Sequence, residues 1–266
     1  MLHSALLNVM MKAARKAARQ LNRDFGEVEK LQVSVKGPAN FVTAADRKAE
    51  QTIRDELMAA RPGYSFVGEE GGRIEGPDKT HTWYVDPLDG TTNFLHGIPH
   101  FAISIGLERD GAMVAGLVYN PISDEMFVAE KGKGAFVNDQ RLRVAGRRSM
   151  HDAVVACGLP HRGRGGLAEF RTEFAAVQEQ VAGLRRFGAA ALDLAFVAAG
   201  RLDIYWERNL KSWDMAAGIL LVREAGGYVS DCDGTDAMFV KGHICAGNET
   251  LQKELLGIVK KAGAAG

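Results

Sequence analysis

Residues 83–95, WYVDPLDGTTNFL, constrain this chain more than any other stretch. An apolar, strand-like run ends in two carboxylates, Asp86 and Asp89, with Pro87 between them and Gly90 directly after. Thr91 and Thr92 follow, and their hydroxyls suit a helix start. Such a start offers backbone N–H groups and a dipole that favours phosphate. Carboxylates for cations beside donors for phosphate point to metal-assisted chemistry on a phosphate ester. An Asp- and Gly-rich surface turn has the same composition, so the rest of the chain decides.

Three more acidic sites lie at element ends. Asp46 follows the short apolar strand of FVTAAD and opens a helix-like run to Arg61. Glu69 and Glu70 follow the strand-like run 64–67, with Gly68, Gly71 and Gly72 permitting an unusual backbone path. Asp214 lies near the start of an apolar helix pattern, where a cap explains it equally well. The repetition of acids beside small residues favours one shared site. If four such carboxylates converge, each pair repels by roughly 4 kcal/mol at 4 Å and an effective dielectric of 20. The site then takes up protons or binds cations, and an all-oxygen ligand set favours magnesium, manganese or calcium over zinc.

GEE, then DPLDGTTNF, then WDMAAG, in that order, resemble the inositol monophosphatase family, the lithium-sensitive, magnesium-dependent phosphatases, in its bacterial form. The resemblance runs through nearly the whole chain. It implies an α+β fold, a layered αβαβα sandwich of the inositol monophosphatase and fructose-1,6-bisphosphatase type. It also implies two or three magnesium ions per site: Glu69, Asp86 and the Leu88 carbonyl hold the first, and Asp86 bridges to a second bound by Asp89 and Asp214. Thr91, paired with Asp46, then orients or deprotonates the attacking water, and Glu69 belongs to the same catalytic group. Substrate contacts carried over by position are Glu69, Leu88, Asp89, the N–H groups of Gly90 and Thr91, the backbone of Gly188, Ala189 and Ala190, and the side chains of Glu207 and Asp214. Many relatives have Ser or Thr where Ala189 stands. Relatives acting on adenosine bisphosphate carry lysine and glutamate after DGT, whereas Thr92-Asn93-Phe94 follows here. The implied reaction is hydrolysis of inositol 1-phosphate or a related polyol monophosphate by a metal-activated water. The alternatives are another small ester, such as histidinol phosphate or a sugar bisphosphate, and a scaffold with a second binding role in transcription or RNA processing.

Composition bounds the remainder. The 266 residues carry 33 basic and 33 acidic side chains and are 46% apolar, enough interior for one large or two closely packed domains. The expectation is a single unit over 1–266, with a subdomain boundary near 146–151. Balanced charge offers no global attraction for nucleic acid or an anionic membrane, and no run reaches the length of a membrane span. The basic N-terminal stretch carries the apolar spacing of an amphipathic helix, which is favoured over a transit peptide. Cys157, Cys232 and Cys245 are widely spaced and read as reduced thiols of a cytoplasmic protein. A symmetric homodimer is expected, with residues 183–187 and the strand-rich middle as the contact.

Helical patterns cover 4–25, 45–61, 168–182, 190–199, 214–225 and 249–261. Strands are expected at 101–108, 112–119, 125–130, 134–138 and 153–157, with turns at Asp110-Gly111, Asn120-Pro121 and Asn138-Asp139. A mobile loop is expected at 161–166. KGKGAF at 131–136 lacks the spacing of a phosphate-binding P-loop and reads as a turn. His96 and His100 are separated by Gly97 and Pro99, so they cannot pair on a helix as zinc ligands; a surface loop is favoured over the pocket rim. Arg185-Arg186 reads as solvated or as part of a subunit contact, in preference to a phosphate contact.

Overall fold

The computed structural model describes residues 3–25, 33–37, 40–160 and 165–264. The first part of the chain runs α1 (Ala5–Phe25), β1 (Val33–Gly37), β2 (Asn40–Thr43), α2 (Ala44–Ala60), β3 (Ser65–Gly68), β4 (Gly72–Ile74) and β5 (His81–Asp89). A short α3 (Thr91–Leu95) leads into β6 (Ala102–Arg109), β7 (Ala112–Asn120), β8 (Glu125–Glu130), β9 (Gly134–Val137) and β10 (Gln140–Arg141). The rest comprises β11 (Val154–Cys157), α4 (Leu167–Gln178), β12 (Gly183–Arg185), α5 (Ala190–Ala198) and β13 (Ile204–Glu207). It ends with α6 (Ser212–Glu224), β14 (Tyr228–Ser230), α7 (Met238–Lys241), β15 (Ile244–Gly247) and α8 (Glu249–Ala264).

Strands β3 to β10 form one sheet in the order β10-β9-β8-β7-β6-β5-β3-β4, and the later strands form a second, β12-β11-β13-β15-β14. The alternation of side chains sets the layers. On β6, Ile103, Ile105 and Leu107 face α1 and α2, where Met10, Leu21, Ile53 and Leu57 are fully buried. The opposite face of that sheet packs on α5 and α6, which also cover Tyr205, Ile244 and Ala246 of the second sheet. Ile204, Trp206 and Cys245 point away from them and pack with α4 and α8. The result is the expected αβαβα stack.

Local sequence explains most of the connections. Asp110-Gly111 and Asn138-Asp139 each place both central residues at positive φ (51° and 77°, 44° and 67°), the hairpin turn that matches strand twist. KGKGAF turns at 131–133 between β8 and β9 and its last three residues open β9, while Gly132 and Gly134 donate N–H bonds of 2.8 and 2.7 Å to Glu224. The fourth helix stops at Gln178, short of the expected Ala182. There the Ala182 N–H bonds the Ala153 carbonyl at 3.0 Å, and β12 pairs in parallel with β11. Most of the loop expected at 161–166 falls outside the described residues.

Helix α6 sits unusually close to the first sheet. A Cβ at Gly106 would lie 2.7 Å from the Ala216 Cβ, and one at Gly116 would lie 2.8 Å from the Ala217 carbonyl oxygen. On its other side, a Cβ at Gly218 would meet the Leu194 Cδ1 of α5 at 2.4 Å. At Gly116 all three nearest atoms belong to the Ala217 backbone, so a side chain there has no flexible neighbour to displace. Gly116→Val should therefore lower stability by about 1–3 kcal/mol or more. The urea midpoint reads this directly, and an unchanged midpoint would refute the close seating of α6.

Candidate active site

Asp86 and Asp89 are three residues apart and would face opposite sides of a regular strand. The pairing of β5 with β6 prevents that. Asp86 lies opposite Ser104 and Asp89 opposite Ala102, so three steps on β5 match two on β6. This bulge restores the parity and brings both carboxylates to one side. The Leu88 N–H caps the Asp86 Oδ1 at 2.9 Å, and the Ala191 N–H, from α5, donates to the Asp89 Oδ2 at 2.7 Å. Gly90 then takes φ 92° and ψ 33°, a left-handed conformation that glycine adopts without strain. Any side chain there would press on the His100 carbonyl oxygen at 3.0 Å.

Glu69 follows β3, which runs parallel to β5, and its N–H bonds the Val85 carbonyl at 3.2 Å. Its loop is tied down by Glu50 of α2, a buried carboxylate that accepts the N–H groups of Glu70 and Gly71 at 2.8 and 2.6 Å. Asp214 lies in the first turn of α6, and its Oδ2 accepts the Lys211 N–H at 2.7 Å. It is a cap as well as a wall residue. The Thr91 hydroxyl lies 3.2 Å from the Asp46 Oδ1 and 3.0 Å from the Leu88 carbonyl oxygen. With one proton, it donates to one of them at a time. Asn93 Nδ2 donates to the carbonyls of His100 and Phe187, each at 2.8 Å, and so joins the loop after β5 to the segment before α5.

These elements enclose a cavity of about 280 Å³ lined by Glu69, Asp86, Leu88, Asp89, Gly90, Thr91, Gly188, Ala190, Glu207 and Asp214. Two of the expected residues lie behind the lining, Asp46 in its expected pairing with Thr91. Asp46 is buried behind Thr91, and Ala189 is buried with its side chain turned toward Gly90. The small Ala189 fits where the chain enters α5, so its methyl packs inward. Arg186, expected to be solvated or part of a subunit contact, instead lines the cavity because the segment before α5 closes on it, and Arg208 and Lys211, which local sequence patterns did not reveal, line it too. Neither His96 nor His100 lines it; His100 stacks on Phe187 with ring centroids 5.1 Å apart.

The charge pattern is unfavourable without a counter-ion. Burial, then the charges of Glu69, Asp89 and Asp214, holds the Asp86 carboxyl well above the usual range. Burial and then Asp214 do the same to Asp89, against the opposing Ala191 hydrogen bond. On the opposite wall, the Tyr205 hydroxyl donates to the Glu207 Oε2, and Gly158 leaves the space that the Glu207 carboxylate fills. Asp193 of α5 is buried nearby, and its Oδ1 has no hydrogen-bond partner among the described residues.

With this geometry in view, residues 3–264 match the profile of the inositol monophosphatase family. The chain belongs to the inositol monophosphatase family. It is similar to an inositol-1-monophosphatase of Mesorhizobium japonicum, with 60% identity over 261 residues and 98% of each chain covered. A Pseudomonas aeruginosa protein named Nus factor SuhB is 46% identical over 255 residues, 94% of each chain. The crystal structure of the extragenic suppressor protein suhB of Bartonella henselae superposes with a TM-score of 0.95 at 57% identity, covering 97% of this chain and 99% of that one.

The family's metal dependence can be tested against the donor set. Among the described residues, no three His, Cys, Asp or Glu side chains form a ready-made metal cage. Asp86, Asp89 and Asp214 are each turned toward a backbone N–H instead. Yet Glu69, Asp86, Asp89 and Asp214 share the cavity wall with Leu88, and like charges, not cations, lead the electrostatic influences on Asp86 and Asp89. This all-oxygen set fits magnesium. Binding must then displace protons from Asp86 and Asp89.

The sign follows from their raised folded-state values. Relative to the unfolded chain, the folded acids gain stability by holding protons at low pH and lose it as pH rises toward their folded values. The gain in Tm on adding saturating magnesium to chelator-treated protein should therefore grow as pH rises above about 5. Surface acids such as Glu56, held at about 2 by hydrogen bonds from Lys12 and Lys16, are already ionised there and cancel in the comparison. A magnesium gain that stays constant or shrinks with pH would refute this cation site.

Proposed function

We propose that this chain is a magnesium-dependent phosphoric monoester hydrolase acting on inositol 1-phosphate or a closely related polyol monophosphate. The observation that carries this reading is the bulge in β5, which turns Asp86 and Asp89 toward the cavity shared by Glu69 and Asp214. The identity to the M. japonicum inositol-1-monophosphatase supports the choice of substrate. Two or three magnesium ions held by Glu69, Asp86, the Leu88 carbonyl, Asp89 and Asp214 would neutralise the phosphate, acidify a water and steady the leaving oxygen.

The chain's own groups do the rest. Thr91, backed by Asp46, would orient the attacking water or relay its proton, the hydroxyl oxygen receiving that proton as the Thr91 proton passes to the Asp46 carboxylate. The N–H groups of Gly90 and Thr91, at the first turn of α3, receive phosphate oxygens and stabilise charge in the transition state. Glu207 accepts hydrogen bonds from the alcohol, with the backbone of Gly188 and Ala190 alongside. Ala189 contributes through its backbone at the helix entry. The protein works as one unit in the cytoplasm and as a homodimer, with β12, an edge strand, in the contact. No helix among the described residues is long and apolar enough to cross a membrane. Identity to a relative named Nus factor SuhB favours, as a second reading, a binding role in transcription or RNA processing beside catalysis.

Asp89→Asn should fold and lose on the order of a hundredfold or more in turnover. Near-wild-type turnover at saturating magnesium would exclude Asp89 from the reacting centre. A second experiment measures phosphate release from inositol 1-phosphate, histidinol phosphate, sugar phosphates and an aryl phosphate, with and without magnesium and lithium. Inositol 1-phosphate should lead, magnesium should be required and lithium should inhibit. Glu207→Ala should cost the polyol ester much more than the aryl ester, because only the former leaves a buried polar partner unpaired. A magnesium-independent enzyme, or equal losses on the two esters, contradicts the reading.

A further inference from the structure

The alcohol side of the cavity rests on a buried hydroxyl. Tyr205 and Glu207 are two residues apart on β13, so both point to the α5 face of the second sheet. Tyr205 is fully buried, and its hydroxyl donates to the Glu207 Oε2. Gly158, just beyond β11, closes the other side: a Cβ built there would lie 1.7 Å from the Glu207 Cδ and 2.1 Å from its Oε2. The Glu207 carboxylate thus occupies space that any other residue at 158 would fill. Burial, and then the charge of Glu207, raises the Tyr205 hydroxyl well above its ordinary value, so it remains a proton donor.

We propose that Tyr205 is a positioning residue for substrate choice: its hydroxyl, with the vacancy left by Gly158, holds Glu207 in the one orientation that meets the hydroxyls of a polyol phosphate. This rests on the hydrolase reading above and adds the device by which the site tells a polyol ester from a plain one. A glutamate on three rotatable bonds loses side-chain freedom when it is fixed. A neighbour that fixes it beforehand removes that loss from substrate binding. A buried donor to a charged acceptor is among the stronger single hydrogen bonds. The phosphate-end acids Asp86, Asp89 and Asp214 are carried by β5 and α6, and the hydrogen bonds given for Asp86 and Asp89 do not involve Tyr205.

The test is Tyr205→Phe in the full-length protein, which keeps the ring in the core and removes only the hydroxyl. The ratio of kcat/KM for inositol 1-phosphate to kcat/KM for an aryl phosphate should fall about tenfold, mainly through KM for the polyol ester. In a Glu207→Ala background the same change should leave that ratio where Glu207→Ala alone puts it, since the effect travels through Glu207. Gly158→Ala, which pushes Glu207 aside by another route, should lower the ratio in the same direction. A structural role alone would lower both substrates together and leave the ratio unchanged, as would an irrelevant hydroxyl; either result overturns the proposal. An additive loss in the Glu207→Ala background does so too. Absence of phosphate release by the wild-type protein on every monophosphate would overturn the hydrolase reading itself, and this inference with it.

Discussion

The seating of α6 between the two sheets is the constraint on which the site depends. Glycines on β6 and β7 let its backbone approach the first sheet, and Gly218 lets α5 close on the opposite side. The Ser104 hydroxyl, on β6, donates to the Trp213 carbonyl at 3.2 Å and so marks the same contact at the helix start. Asp214 is carried at that end of the helix. A helix held off by ordinary side chains would carry Asp214 away from the β5 acids. The packing of small residues in the middle layer is therefore also the positioning of a charged group at its rim.

The carboxylates themselves oppose folding. Asp86 and Asp89 are buried beside like charges, and removal from water costs each several kcal/mol in its ionised form. Two backbone N–H groups, from Leu88 and Ala191, meet part of that cost, and the Lys211 N–H serves the half-buried Asp214 in the same way. A structural acid away from the cavity is satisfied more fully. Asp231 accepts hydrogen bonds from the Asp233 and Thr235 N–H groups and the Thr235 hydroxyl, and pairs with Lys241 at 2.7 Å. Although burial alone would raise it, these partners hold it well below the usual carboxylate range. The contrast separates acids that support the fold from acids kept for a ligand.

Much of this was legible from residue order. The long helices follow their apolar spacing, and the two hairpin turns carry the Asp, Asn and Gly residues that positive φ requires. Ordered motifs named the acids that line the cavity. What was not legible depends on pairing across the chain. The bulge that aligns Asp86 with Asp89 exists only in the register with β6. Glu50 looks like any helix-face glutamate until the loop it holds is folded against it. Tyr205 reads as a core aromatic, and its hydroxyl acquires meaning only beside Glu207. The inward turn of Ala189 and the early end of α4 likewise follow from neighbours far away in sequence.

Asn93 has a further consequence. By donating to the carbonyls of His100 and Phe187, it couples the phosphate-facing loop to the segment that carries Gly188. On the proposed reading, the two ends of a substrate would be held by segments that Asn93 ties together. Such a frame would gauge the span between a phosphate and a distant hydroxyl, disfavouring esters that are too short or too long. It also limits how this enzyme can change its diet in evolution. Whatever side chains surround Gly188, the backbone carbonyl of Phe187 must remain where Asn93 can reach it.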